Sequence, residues 1–231
     1  ECLVMDWFAR ELGLPPAYHW AAASTATRDR LSGGGIIQPC ATEATMVAMI
    51  GALGRLASQG AAAAPWLNDS STSPSSVRDR CVVYFSDQSH FCIEKACRVL
   101  GIGHVRKLPA TLCPRRHNWV LLPSTLQEAM VADSSSGLIP LLVHLNVGST
   151  GTGAVDPCLE LTAVARRFAA TWIHIDAAYG GGALLCPELR SSVFGWDDAR
   201  LPPASPARSP AAPWNHAADS TVGGSDRQIL T

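Results

Sequence analysis

The chain has 231 residues, of which 47% are hydrophobic and 16% charged, a composition sufficient for one packed domain. Eighteen basic and nineteen acidic side chains give a formal net charge of −1, so the chain has no excess positive charge with which to bind nucleic acid or an anionic membrane. Every apolar run is interrupted within a few positions, so no membrane-spanning helix is predicted.

Eight cysteines are scattered along the sequence without a Cys-x-x-Cys pair. Several of them lie in apolar surroundings, which is typical of reduced, buried thiols and predicts a cytoplasmic protein. The first residue is Glu1 rather than Met, and residues 1–14 have the spacing of an amphipathic helix rather than of a signal peptide. We therefore expect that the sequence begins inside a longer protein.

The first third of the chain predicts helices separated by irregular segments. Residues 1–14 form a helix with one apolar face, which ends at Gly13 and the following prolines. Small and apolar residues predict a second helix over 41–58. Residues 60–76, rich in Ala, Ser and Pro, predict a surface excursion.

From residue 81 onward, predicted strands and helices alternate. Short runs rich in apolar residues predict strands at 81–85, 139–145 and 172–175, and residues 104–108 are a further candidate strand. Helices are predicted at 89–100, at 124–133 with a capping box of Ser124 and Gln127, and at 157–170 with Asp156 as N-cap. This alternation predicts an α/β fold of three layers around a mainly parallel sheet.

The predicted domain ends near residue 190. Residues 191–231 carry many prolines with scattered Ser, Ala and Gly, and are predicted to form a divergent, disordered tail. The domain itself is expected to bind its ligand at the carboxyl ends of the parallel strands. Four segments rich in Gly and polar residues fall at such strand ends or at the starts of helices, and they are residues 33–45, 86–90, 148–152 and 174–182.

Two of these segments allow more than one interpretation. The glycines before Ala41 and Thr42 lead into a helix start, where free amides favour a phosphate, although an ordinary capped helix has the same pattern. Asp176 is compatible with a metal site shared with His174, a capped turn, or an acceptor for the protonated ring nitrogen of a cofactor. No second cluster has ligand spacing nearby, so no metal site is predicted.

The other two segments supply a histidine and hydroxyl groups. His90 follows a strand at the start of a helix, where it is suited to stacking on an aromatic ring or to moving a proton. Gly148 to Thr152 places hydroxyls at a strand end, which by itself indicates only a turn. The remaining histidines are interpreted as structural or surface residues, and they are His19, His104, His117, His144 and His216.

In this order and spacing, the four segments resemble the group II pyridoxal-phosphate-dependent amino-acid decarboxylases, in particular their aromatic L-amino-acid branch. The resemblance covers residues 1–190 and rests on four motifs. They are Gly-Gly-Gly-Ile-Ile-Gln-x-x-Ala-Thr-Glu-Ala-Thr at 33–45, Ser-Asp-Gln-Ser-His at 86–90, Val-Gly-Ser-Thr at 147–150, and His-Ile-Asp-Ala-Ala-Tyr-Gly-Gly-x-x-x-x-Cys-Pro-Glu-Leu-Arg at 174–190.

The resemblance implies a partial large domain of the fold type I transferases and a role for each segment in binding pyridoxal 5′-phosphate. It implies that Ala41 and Thr42 hold the phosphate, and that His90 stacks on the ring near the reacting carbon. It places Thr150 beside the ring hydroxyl, Ala178 against the ring, and Asp176 at the pyridine nitrogen. A carboxylate is required there because it keeps that nitrogen protonated.

The implied activity is decarboxylation of an aromatic L-amino acid to its amine and CO2, by an enzyme that is a homodimer when complete. The sequence departs from the family in one respect that matters for this activity. The family binds its cofactor covalently through a lysine in an Asn-x-x-His-Lys segment, and no such segment occurs here. Lys95 and Lys107 lie outside any matching motif, and an alignment on residues 218–220 places Arg227 at the lysine position.

Arginine cannot replace that lysine, because a guanidinium stays protonated and is not a nucleophile. The chain is therefore expected to be an incomplete and inactive version of the enzyme. One alternative is a non-catalytic relative that binds the cofactor or pairs with a complete subunit. A second is a nicotinamide-dependent enzyme, which is disfavoured because Gly101-x-Gly103 precedes a strand instead of following one.

Overall fold

The computed structural model describes residues 1–14, 18–20, 34–59, 74–114, 116–168, 171–189 and 228–230, the last of these by their backbone alone. The helices are α1 (Cys2–Glu11), α2 (Ala41–Gln59), α3 (Pro74–Arg80), α4 (Cys92–Leu100), α5 (Pro123–Ser135) and α6 (Cys158–Ala165). The strands are β1 (Cys81–Ser86), β2 (His104–Leu108), β3 (Ala110–Cys113), β4 (Asn118–Leu121), β5 (Ile139–Asn146), β6 (Trp172–Asp176) and β7 (Gln228–Leu230).

Five of these strands form one parallel sheet in the order β2-β1-β5-β6-β7. Strands β1 and β5 are buried along their whole length, which explains why each appears in the sequence as a continuous apolar run. All four predicted strands are confirmed, and β1, β5 and β6 each extend one residue beyond the prediction.

Helices cover both faces of the sheet, and this confirms the predicted three-layer α/β architecture. On one face, Met49 and Leu56 of α2 and Ile93 of α4 pack against Val83 and Phe85 of β1. On the other face, the core is formed by side chains of α5, α6 and the opposite side of the strands, including Leu126, Met130, Leu161, Val143 and Ile173. Burial of these side chains holds the carboxyl ends of β1, β5 and β6 at one edge.

Two predicted helix starts are wrong. Helix α5 begins at Pro123 with Leu122 as N-cap, and no side-chain capping bond is present, so Ser124 and Gln127 form no capping box. Helix α6 has Pro157 rather than Asp156 as its N-cap, because the Asp156 carboxylate bonds to other elements described below. Proline at the first helical position decides the start of α5, since it needs no amide bond there.

Several elements differ from the predicted pattern in extent or were not predicted. Helix α6 ends at Ala165, helix α4 begins at Cys92, and α3 occupies the end of the predicted 60–76 excursion. The hairpin of β3 and β4 was not predicted, because its strands are four residues long and half exposed. The remainder of that excursion and residues 190–227 lie outside the described part of the chain, so the predicted domain end and disordered tail stay predictions.

None of the helices that the structure describes combines the length and the apolar character needed to cross a bilayer. Within the same residues, no three His, Cys, Asp or Glu side chains are grouped so that they could hold a metal ion. All eight cysteines lie in the described residues, and each is a free thiol.

Candidate active site

A cleft of about 190 Å3 opens at the carboxyl edge of the sheet, between the starts of α2 and α4. It lies where ligands bind in parallel α/β sheets. Its lining residues are Ala41, His90, Asn146, Gly148, Ser149, Thr150, Asp176, Ala178 and Tyr179. The cleft therefore combines residues from all four of the segments that the sequence singled out.

The start of α2 forms one end of the cleft. The Cys40 carbonyl accepts the amides of Glu43 and Ala44, both at 3.1 Å, and so closes the first helical turn. The amides of Ala41 and Thr42 precede this first intrahelical bond, and at that position the helix dipole favours an anion. Ala41 lines the cleft, whereas Thr42 follows it in the same turn without being part of the lining.

His90 lies beside the cleft just before α4. Its Nδ1 accepts a hydrogen bond from the Cys92 amide at 3.3 Å, so in the neutral ring the proton is on Nε2. The imidazole also packs against the Phe91 ring, with centroids 4.3 Å apart. These contacts fix the ring plane, which is the requirement for stacking on a flat ligand.

Asp176 ends β6 and supplies the carboxylate of the cleft. Its Oδ1 accepts the Ala178 amide at 3.0 Å, and its main-chain carbonyl accepts the Val147 amide at 2.8 Å, so both the side chain and the backbone of Asp176 are held by hydrogen bonds. The side chain is 12% exposed. Its second oxygen, Oδ2, lies 3.7 Å from Nε2 of His144 on the neighbouring strand.

A buried carboxylate, that of Asp156, fixes the wall opposite the helix starts. Its Oδ2 accepts the backbone amide and the Nδ2 of Asn146, both at 2.8 Å, and its Oδ1 accepts the Leu121 amide at 3.1 Å. Asn146 Nδ2 also donates to Ser89 Oγ at 3.0 Å. Burial raises the pKa of Asp156, and the bonds from Asn146 and Leu121 oppose that rise.

Glycines allow the loops after β5 and β6 to approach each other. Gly148 has φ of +89°, and a Cβ there would lie 2.8 Å from the Gly180 nitrogen. A Cβ at Gly180 would in turn clash with the Val147 carbonyl oxygen, which accepts the Gly180 amide at 2.9 Å. Larger residues would separate the two loops and widen the cleft.

Five of the six predicted site residues line this one cleft, namely Ala41, His90, Thr150, Asp176 and Ala178. Sequence reasoning missed Asn146 and Tyr179. An available signal for Asn146 was a polar residue at the end of an apolar strand, whereas the exposed Tyr179 gave none beyond its place in the 174–182 segment.

His144, interpreted from the sequence as a structural or surface residue, lies next to the cleft. It is completely buried on β5, beside Asp176 and with its ring centroid 5.1 Å from that of His174. Burial lowers the pKa of His144 to about 3, and the nearby His90 contributes to the decrease. The imidazole is therefore neutral at neutral pH.

Neither lysine of the chain lines the cleft. Lys107 Nζ forms an ion pair with Glu94 at 2.9 Å, and Lys95 lies exposed on α4. Arg227 and residues 218–220 lie outside the described residues. The described site thus combines the start of a helix, an imidazole ring and a carboxylate, and neither lysine contributes an amine to it.

A model of the pyridoxal-dependent decarboxylase conserved domain matches residues 1–208. The chain belongs to this family. Among its relatives, a tyrosine decarboxylase from Oryza sativa subsp. japonica is 40% identical over 198 residues, which cover 84% of this chain and 32% of that protein. A 3,4-dihydroxyphenylacetaldehyde synthase from Drosophila melanogaster is 38% identical, over 84% of this chain and 35% of that protein.

Solved structures of decarboxylases share the fold. The crystal structure of Oryza sativa TDC with PLP superposes with a TM-score of 0.67 at 36% identity, covering 84% of this chain and 38% of that one. The predicted likeness to a fold type I large domain is thereby confirmed. The chain spans about a third of the length of the curated relatives it matches.

The buried imidazole leads to a prediction about pH. The pKa of His144 is about 3 in the folded chain, whereas the reference value of 6.5 applies to the unfolded chain. Between pH 3 and 6.5 the unfolded chain therefore binds one more proton than the folded chain. The free energy of unfolding therefore falls as the pH decreases below 6.5, by at most about 1.4 kcal/mol per pH unit from this group. His144→Leu should remove that contribution, as measured by urea unfolding between pH 5 and 7.5.

The titratable groups that face His144 are Asp176 and His174 on β6 and His90 before α4. These groups remain in His144→Leu. The difference between wild type and this variant in the pH dependence of the free energy of unfolding therefore reports on His144 alone. His104→Leu, at a half-exposed position on the edge strand, controls for loss of an imidazole. A pH dependence identical in wild type and His144→Leu would contradict the prediction.

Proposed function

We propose that the described domain binds pyridoxal 5′-phosphate in the cleft at the carboxyl edge of its sheet. The observation that carries the proposal is that Ala41 at the start of α2, His90 before α4 and Asp176 at the end of β6 line the same cleft. Family membership supports it, and relatives have been solved with PLP. When bound, the cofactor supplies an electron-accepting ring that stabilises negative charge at the carbon losing CO2.

Each of the six predicted site residues then has a role that its surroundings permit. The amides of Ala41 and Thr42 would bind the phosphate, because both precede the first bonded turn of α2. His90 would stack on the ring, and Ala178 would pack against it. Thr150, which is exposed in the cleft, would contact the ring hydroxyl.

Asp176 would hold a proton on the ring nitrogen. The Ala178 amide occupies one lone-pair direction of Oδ1, and the carboxylate has further lone pairs that can accept a hydrogen bond from the ligand. Because the side chain is mostly buried, its charge acts in an environment of low dielectric, where it favours the protonated ring nitrogen strongly.

A titration tests the cofactor proposal. We expect pyridoxal 5′-phosphate to quench the tryptophan fluorescence of the purified chain, and Asp176→Asn to weaken binding about tenfold or more, since a charge-assisted hydrogen bond is lost. Glu128→Gln removes an exposed carboxylate from α5 and should leave affinity unchanged. Equal affinity of wild type and Asp176→Asn would refute the role of the carboxylate.

We propose further that the complete protein decarboxylates an aromatic L-amino acid and that the 231-residue chain by itself does not. The relatives include tyrosine and tryptophan decarboxylases, and neither lysine of this chain lines the cleft. A second candidate is conversion of the amino acid to an aldehyde, because aldehyde synthases with 36–39% identity are also among the relatives. A cytoplasmic location is proposed on the basis of eight free thiols.

Products distinguish these activities. Incubation of the complete protein with L-tyrosine, L-tryptophan or 3,4-dihydroxy-L-phenylalanine should release CO2 and amine in equal amounts. An aldehyde in place of the amine would assign the protein to the second activity. The 231-residue chain should form neither product, and turnover by this chain would show that the missing lysine segment is dispensable.

Homodimer formation by the complete protein is proposed from an apolar surface around α1. Leu3 and Trp7 on this helix are 62% and 54% exposed, and Ile36 and Ile37 are exposed in the neighbouring segment. The Ile37 amide donates to the Glu1 carboxylate at 2.7 Å, which joins the two parts into one surface. Exposed apolar patches of this kind mark interfaces.

We expect Trp7→Asp to weaken dimerisation at least about tenfold, because a charge would be buried at an apolar contact. Analytical ultracentrifugation of the complete protein measures the monomer–dimer equilibrium. Val99→Asp, which adds the same charge at a 62% exposed position on α4, is the matched control. An unchanged dimer in Trp7→Asp would exclude this surface as the interface.

A further inference from the structure

His144 is a buried polar residue next to the site. The fold does not explain why the energetic cost of burying its imidazole is tolerated. Its side chain is fully buried, and neither ring nitrogen has a hydrogen-bond partner in the described structure. Leaving such a group unpaired in an apolar interior is unfavourable, and an apolar residue would fill the same place at lower cost. A functional explanation is therefore required.

The sheet register places this imidazole directly behind the carboxylate of the cleft. Strands β5 and β6 pair His144 with His174 and Asn146 with Asp176, so His144 lies diagonally across from Asp176 on the same face of the sheet. Its Nε2 is 3.7 Å from Asp176 Oδ2, slightly beyond hydrogen-bond distance. The other carboxylate oxygen, Oδ1, is held by the Ala178 amide.

We propose that His144 is a positioning residue for Asp176: its Nε2–H donates to Oδ2 and fixes the carboxylate plane when a ligand with a protonated ring nitrogen binds at the cleft. The inference rests on the proposed cofactor function, and it adds a residue that no part of the motif resemblance includes. With the Ala178 amide on one oxygen and His144 on the other, the carboxylate has one defined orientation toward the ligand.

The charge state of His144 suits this task. Burial holds the ring neutral at neutral pH, because its pKa is lowered to about 3. A neutral imidazole donates a hydrogen bond without cancelling the negative charge of Asp176, whereas an imidazolium would pair with the carboxylate and compete with the ligand. The other titratable groups near His144 are His174, whose ring centroid is 5.1 Å away, and His90.

Two probes separate positioning from simple packing. Pyridoxamine 5′-phosphate carries the ring nitrogen but no aldehyde, and its 1-deaza analogue has C–H in place of that nitrogen. The ratio of the two affinities, measured by fluorescence titration of the whole 231-residue chain, reports only on contacts made by the nitrogen. We expect His144→Leu to decrease this ratio about tenfold and to leave the affinity for the deaza analogue unchanged.

Two further variants complete the experiment. His144→Gln, which keeps an N–H donor at a similar reach, should restore most of the ratio. In an Asp176→Asn background, His144→Leu should have no further effect on it, because the two residues act through one contact. The melting temperature of His144→Leu without ligand should rise by about 2–4 °C, since an unpaired polar group is removed from the core.

The outcomes are distinct. If His144→Leu weakens binding of both probes equally, or lowers the melting temperature while the ratio stays constant, the residue is structural and the inference is wrong. If the wild-type chain binds both probes equally well, the role assigned to Asp176 fails. If it binds neither, the proposed cofactor function itself is overturned, and this inference with it.

Discussion

The buried carboxylate of Asp156 is the interaction on which the geometry of the cleft depends. It accepts two hydrogen bonds from Asn146 at the end of β5 and one from Leu121 at the end of β4. The Asp156 side chain therefore links β5 of the central sheet to the β3–β4 hairpin, which covers the loop after β5. Because removal of one partner leaves a buried charge or amide unpaired, this contact has few tolerable substitutes. Asn146 also donates a hydrogen bond to Ser89, the residue immediately before His90, and so links Asp156 to the segment that carries His90.

The geometry of the cleft also requires that the loops after β5 and β6 approach each other closely. The loop that begins at Gly148 reaches the loop after Asp176 only because neither Gly148 nor Gly180 carries a Cβ. The Ser149 hydroxyl then accepts the Ala154 amide at 3.0 Å and lies 2.9 Å from the Thr152 hydroxyl, so it stabilises the turn. The two loops therefore hold the backbone around Asp176 in place. The Ala178 amide and His144 then orient the Asp176 carboxylate. Polar networks of this kind keep catalytic groups in place before a ligand arrives.

In the described residues, the groups proposed to bind a cofactor lie apart from both lysines. The residues proposed to hold the phosphate and the ring share one cleft, while Lys107 is paired with Glu94 and Lys95 lies exposed on α4. Since the chain spans about a third of its curated relatives, the amine that the reaction requires is proposed to belong to the complete protein. This division makes the chain suitable for measuring non-covalent recognition of the ring, because covalent attachment does not mask the contribution of Asp176.

The sequence by itself determined the alternation of strands and helices, because β1, β5 and β6 are covered by helices on both faces and most of their residues are therefore apolar. It also determined that Ala41, His90 and Asp176 meet at one edge, since the carboxyl ends of parallel strands share that edge. Only the tertiary structure decided the tasks of Asp156, Asn146 and His144. Asp156 has the local pattern of an N-cap, yet its partners are 10 and 35 residues away. Such long-range hydrogen bonds leave no local period or spacing in the sequence, and the depth at which His144 is buried depends on how α2 and α4 pack above it.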